Sequence, residues 1–174
     1  MKYCCSIVIA LITAVAIAPL AMAGSFPTWS DQIRGSGRFK ALIDFGNAAV
    51  LDKETGLVWE RSPSAATFNQ SSAILHCNQL TVGGRLGWRL PGAQELATLY
   101  DPGNAGGNPD LPAGHPFAGV VSAEYWSATY STDFANSDAW IVDFSGANGV
   151  VTHFLKSDTF HAWCVRGGPG LDVQ

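Results

Sequence analysis

The sequence predicts an α+β domain, two helices packed on short antiparallel strands with long loops, and three observations predict it. Gly 19, Pro 9 and Trp 6 among 174 residues imply many tight turns around an aromatic core, which a helix bundle does not need. Period-two patterning recurs in short stretches toward both ends of the chain, whereas helical periodicity is confined to two stretches in the middle. A hydrophobic fraction of 47% against 14% charged residues supplies enough apolar surface for a packed core and excludes a disordered chain.

The chain opens with Lys2, an uncharged stretch Ile7 to Leu20, and Ala21-Met22-Ala23 before Gly24. That order matches a secretory signal, residues 1–23, with cleavage expected after Ala23. The apolar run is nearly long enough to span a bilayer, but Pro19 and the small exit residues disfavour an uncleaved anchor. The expected location is therefore exported, periplasmic or extracellular at the cell surface, with no membrane span after cleavage. Cys4 and Cys5 leave with the leader. Cys77 and Cys164 remain, and two cysteines far apart in an exported chain read as one disulfide; two buried free thiols are the alternative. Lys+Arg 10 against Asp+Glu 14 gives a net charge of −4. With no block of like charge, the electrostatic footprint of a nucleic-acid binder is missing.

Residues 24–38 are turn-rich and aperiodic, a linker or N-terminal arm; residues 39–168 form the domain and 169–174 a tail. In Phe39 to Phe45 the residues Phe39, Ala41, Ile43 and Phe45 alternate with Lys40, Leu42 and Asp44, predicting a half-buried strand that Gly46-Asn47 turns. Ala48 to Leu51 and Leu57 to Trp59 flank Asp52-Lys53-Glu54-Thr55-Gly56, a hairpin loop with Gly at the positive-φ position. Thr67, with Gln70 three residues on, predicts a capped helix whose Ala73, Ile74, Cys77 and Leu80 face inward. A second helix is expected from about Ala93 to Tyr100, with Leu96 and Leu99 inward, Glu95 in its first turn and Gly92 as a weak cap. Asp101 to Val120 is a long irregular loop. Tyr125 to Thr129, Ala139 to Phe144, Val150 to Leu155 and His161 to Arg166 read as strands, with Ser145 to Gly149 a hairpin between the middle two.

Ordered strings carry a family resemblance. Asp52 to Trp59, Gly87-Trp88-Arg89-Leu90-Pro91 with Glu95-Leu96, Leu111-Pro112-Ala113-Gly114-His115-Pro116-Phe117, Tyr125-Trp126-Ser127-Ala128-Thr129, Ala139-Trp140 and Cys164-Val165-Arg166-Gly167-Gly168 stand in register over about residues 38–168. The chain resembles the Legionella collagen-like C-terminal domain family. The resemblance implies a C-type-lectin-like fold, related to that of the sulfatase-modifying enzymes, in exported bacterial binding or adhesion modules. It implies Trp59, Trp88, Trp126, Trp140 and Trp163 as core and strand markers, and Cys77 with Cys164 tying a helix to the last strand. Gly92 stands where the family has Thr, exchanging a hydroxyl cap for glycine at a cost of a few tenths of a kcal/mol.

Chemistry is sparse. No Gly-x-Ser-x-Gly elbow is present, and His76, His115, His153 and His161 lack metal-ligand spacing. The sulfatase-modifying relatives use a cysteine pair near the C-terminus, where this chain has Cys164 alone, so no enzyme is expected. Asp101, Asn104, Asn108 and Asp110 crowd oxygen donors into one loop, but the alternating positions of an EF-hand are not filled. The reading there is Asx-turn chemistry, with no metal and no cofactor. Candidate contact residues are Tyr130, Asp133, Phe134, Asn136 and Asp138 on one connection, and Lys156, Asp158, Phe160 and His161 on another. Rings supply contact area at low entropy cost, and short polar groups supply adaptable hydrogen bonds. The function expected is an exported, non-catalytic recognition or adhesion module for a protein or glycan ligand. A structural or assembly subunit of a cell-envelope complex is the alternative, and a formylglycine-generating-type relative is the least favoured.

Overall fold

A computed structural model describes residues 35–104, 108–132, 137–146 and 150–168. The signal segment, residues 24–34 of the arm, Asp133, Phe134, Asn136 and the tail lie outside the described residues. The end of the arm is a helical turn, α1 (Gly35–Arg38). Arg38 is buried there and forks onto Asp52 through Nε to Oδ1 at 2.8 Å and Nη2 to Oδ2 at 2.6 Å, so the arm ends inside the fold.

In chain order the strands are β1 (Phe39–Ala41), β2 (Ala49–Asp52), β3 (Val58–Glu60), β4 (Thr67–Phe68), β5 (Trp88–Arg89), β6 (Glu124–Tyr130), β7 (Asp138–Asp143), β8 (Val151–Leu155), β9 (Phe160–His161) and β10 (Val165–Arg166). Two longer helical segments, α2 (Gln70–Gln79) and α3 (Ala93–Ala97), stand between them. One sheet has the order β1-β2-β3-β10-β5 and the other β4-β9-β6-β7-β8. The mixed α+β class is as expected from patterning, and the Asp52–Gly56 hairpin joins β2 and β3 with Val50 opposite Trp59.

Three elements differ from expectation, each for a local reason. The first strand ends at Ala41, because Ile43–Phe45 winds into a 3-10 turn closed by Gly46 and Asn47 at φ of 59° and 58°. That turn buries Phe45 and leaves Ile43 80% exposed, which alternation alone would not do. The helix cap is Asn69, whose side chain accepts from the Ser72 N–H at 2.9 Å, while Thr67 belongs to β4 and pairs with His161. The last expected strand is two: β9 lies in one sheet, β10 in the other, and buried Ala162, Trp163 and Cys164 cross between them. Cys164 bonds Cys77 across a Cα separation of 5.3 Å, so the disulfide joins α2 to this crossing rather than to a strand. Closing 87 residues stabilises the fold by about 4 kcal/mol on the chain-entropy account.

Two cores flank the β6–β7–β8 layer. On one face Tyr125, Val142 and Phe144 pack with Leu96, Leu99, Trp59 and Trp163. On the other, Trp126, Ala139 and Ile141 pack with Ala73, Cys77, Trp88 and Cys164. The two indoles meet their polar need inside: Trp163 Nε1 donates to the Glu60 carbonyl and Trp126 Nε1 to that of Phe68, both at 2.8 Å. Among the described residues no helix is long and apolar enough to cross a membrane.

Candidate functional site

The alternation that gives each face of β7 its core residues puts Asp138, Trp140 and Val142 on one side. Val142 is fully buried under α3, whereas Trp140 is only half-buried. The difference arises because α3 is five residues long and covers one end of the sheet face. A cavity of about 350 Å3 opens where the cover stops, walled by Trp140, Thr129 and Val151 from the sheet and by residues 92–95 from the start of α3.

Its polar groups are fixed by their own partners. Thr129 Oγ1 accepts the Ala93 N–H at 3.0 Å, and Glu95 Oε2 accepts the Gly92 N–H at 2.9 Å. The missing hydroxyl at position 92 is thus replaced by a side chain from β6 and by the helix's own glutamate. Arg89 forks onto Glu95 with two contacts of 2.7 Å. Burial alone would raise the Glu95 carboxyl, but the Arg89 fork and the Gly92 N–H outweigh it and hold it below the usual carboxylate range. The carboxylate is therefore ionised and already paired, and Gln94 is the exposed polar side chain on the helix side of the mouth.

Beside the cavity the expected contact residues converge in part. Trp140 faces His153 in register, with ring centroids 5.3 Å apart. His153 Nδ1 lies 3.0 Å from Asp138 Oδ2, and the Ser137 hydroxyl donates to Asp138 Oδ1 at 2.7 Å. Those hydrogen bonds, from Ser137 and then His153, hold the Asp138 carboxyl below its ordinary value. The order of groups matters: the carboxylate stands between hydroxyl and imidazole, so the imidazole is not placed to activate that hydroxyl as a nucleophile. Lys156 Nζ sits 3.8 Å from the centroid of the Tyr130 ring, a cation–π contact, and Tyr130 stands opposite Ala139 on β7.

Tyr130, Asp138 and Lys156 are thus brought together. Asp158 is half-buried in the turn after β8, its N–H on the Leu155 carbonyl at 2.8 Å. Phe160 and His161 stand apart: Phe160 packs on Trp126 and Phe154, each at 5.0 Å, and His161 tilts against Tyr125 at 5.3 Å. Both are part-exposed and stand on β9, which lies between β4 and β6. Trp140, expected as a core marker, is instead the cavity wall, and Gln94, Thr129 and Val151 join it unpredicted. The signal that points to Trp140 is its two-residue spacing from Asp138 and Val142; the short reach of α3, which exposes it, is a tertiary fact.

The family model described as the Lcl C-terminal domain matches residues 48–166, well over half of the chain, and the chain belongs to that family. No curated protein matches it.

Proposed function

Taking membership of the Lcl C-terminal domain family as the premise, we propose that the protein is an exported, non-catalytic recognition module on a C-type-lectin-like scaffold. Its ligand, a glycan or a protein segment, seats against Trp140 in the cavity between α3 and the β6–β7–β8 face. The observation that carries this reading is the half-open indole. A Trp kept partly in water at the mouth of an otherwise apolar concavity offers a flat ring for a sugar face or an apolar side chain. Polar groups stand at and beside it: Gln94 and Thr129 in its wall, and the His153–Asp138 pair next to the indole. What supports a binding rather than a catalytic role is that the nearby titratable groups are partnered with one another in an order that does not activate a nucleophile.

The test is a glycan array and a pull-down from host and bacterial surface extracts with the purified protein and with Trp140→Ala and Gln94→Ala. Retention of a ligand by the wild type, at least ten-fold weakened by Trp140→Ala with unchanged melting, supports the site. Capture that Trp140→Ala leaves intact moves the site off this cavity.

A further inference from the structure

Away from the Trp140 cavity, the first sheet carries a face the proposed function does not use. Cross-strand partners share a face, and the register sets Lys40, Leu51, Val58, Arg166 and Trp88 side by side across β1, β2, β3, β10 and β5. Two tight turns close the Trp88 end of that row. The turn after β1 brings the Phe45 ring edge-to-face with the Trp88 indole, 6.4 Å between centroids. In the turn before β5, the Arg85 carbonyl accepts the Trp88 Nε1–H at 3.0 Å. The turns lock on each other: a Cβ on Gly83 would lie 2.8 Å from the Phe45 main chain, and the Arg85 guanidinium lies 4.7 Å over the Phe45 ring.

Each turn presents an aliphatic side chain to solvent. Ile43 at 80% and Leu86 at 69% are the most exposed large hydrophobic residues among those described. Phe45 and Trp88 already supply the core contacts of these two segments, so neither aliphatic is needed inside. Cations stand beside them. Lys40 and Arg85 are exposed, and Arg166 Nε donates to the Leu86 carbonyl at 2.9 Å. None of the ion pairs among the described residues takes any of the three; Asp44, next to Ile43, is the acid at this face. The opposite sign gathers elsewhere: from Leu90 to Leu155 there is no Lys or Arg, Asp and Glu recur, and that stretch builds β6, β7 and β8 of the other sheet.

We propose that this face docks on an anionic lipid bilayer, with Ile43 and Leu86 entering the boundary between headgroups and acyl chains while Lys40, Arg85 and Arg166 meet the lipid phosphates. Apolar insertion and charge attraction reinforce each other at a bilayer surface, where either alone holds weakly. The core of a protein interface is led by aromatic rings and is poor in Lys, whereas aliphatic tips flanked by Lys and Arg match a lipid surface. The tips sit on turns already locked together, so little ordering is lost on docking. Carboxylates of the other sheet are repelled by the same surface, which sets the orientation. The role does not rest on ligand binding at Trp140.

The test is co-sedimentation of the purified protein with phosphatidylcholine vesicles prepared with and without phosphatidylglycerol, repeated with Ile43→Ser plus Leu86→Ser and with Lys40→Gln plus Arg85→Gln. Wild type is expected to bind the phosphatidylglycerol vesicles about ten-fold or more tighter than the neutral ones, and less tightly as NaCl rises. Each double variant should bind the anionic vesicles about ten-fold or more weaker with unchanged melting, because all four side chains are exposed. If one pair fails to fold, the other reads the face alone. No vesicle binding by the wild type, equal binding to both vesicle types, or binding retained in whichever variants fold overturns the proposal. A wild type that dimerises in solution through Ile43 and Leu86, becoming a monomer in the Ser variant, assigns the face to a second copy and overturns it as well.

Discussion

The two faces of the β6–β7–β8 layer are built from one alternating sequence yet finish differently. The face toward α2 is closed: Trp126, Ala139 and Ile141 are fully buried, small side chains let the elements approach, and the disulfide fixes the helix in place. The face toward α3 is closed only at one end, where Tyr125, Val142 and Phe144 meet Leu96 and Trp163. Farther along, Trp140 and Val151 remain part-open. The covalent tie and the ten-residue helix serve the closed face, while the five-residue helix leaves the other with a cavity. Rigidity on one side is what allows a concave, partly apolar surface on the other without collapse.

Substitutions should separate the faces by magnitude. Trp126→Ala removes a buried indole and its hydrogen bond to Phe68, and should cost about 3–5 kcal/mol in denaturant unfolding. Replacing both cysteines, Cys77→Ala with Cys164→Ala, should cost about 4 kcal/mol, with near-native ligand binding where the variant is folded. An equal loss of binding in folded variant would show that the cavity depends on the tie.

Glu60 gives a pH-dependent version of the contrast. It sits at the end of β3 opposite Ala49, and burial pushes its carboxyl up to about 7 against the Cys164 N–H, which pulls it down. The folded state then holds a proton that the unfolded chain releases near pH 4.5. Between those values the folded state binds more protons, so stability falls as pH rises through about 7 and is greatest at the acid end of the window. The fall should be about 3 kcal/mol. Glu60→Gln should flatten it, and an unchanged pH profile would remove Glu60 as its source.

The smallest stability effects belong to the open face. Trp140→Ala should cost about 2 kcal/mol, less than Trp126→Ala, since part of the side chain is already in water. Lys156→Met, outside the cavity, should cost about 0.5 kcal/mol through the lost contact with Tyr130. A Trp140→Ala penalty as large as that of Trp126→Ala would make Trp140 a core residue and remove the distinction between the faces.

How much of this was legible in the chain divides along the same line. The β2–β3 hairpin, the inward face of α2 and the α+β class follow from local patterns: Gly56 at positive φ, the spacing of Ala73 and Cys77, alternation in β6 to β8. The pairing of Cys77 with Cys164 followed from their number once a leader is set aside. What local patterns miss is where elements stop and what they cover. The passage from β9 to β10 reads as one strand because alternation continues through Ala162 to Cys164, but sheet membership is a long-range property. Phe160 and His161 read as loop by composition, and only the pairing of β9 with β4 and β6 makes them a strand. Trp140 reads as core by the same alternation that buries Val142, and the length of α3 alone separates their fates.

Whether the α3 side of the layer is the recognition surface is read most directly from the indole N–H signals in a nitrogen-15 NMR spectrum. The protein would be titrated with whichever glycan or protein segment it captures. The Trp140 indole should shift on titration while those of Trp59, Trp88, Trp126 and Trp163 hold still. A stationary Trp140 signal under saturating ligand would contradict it.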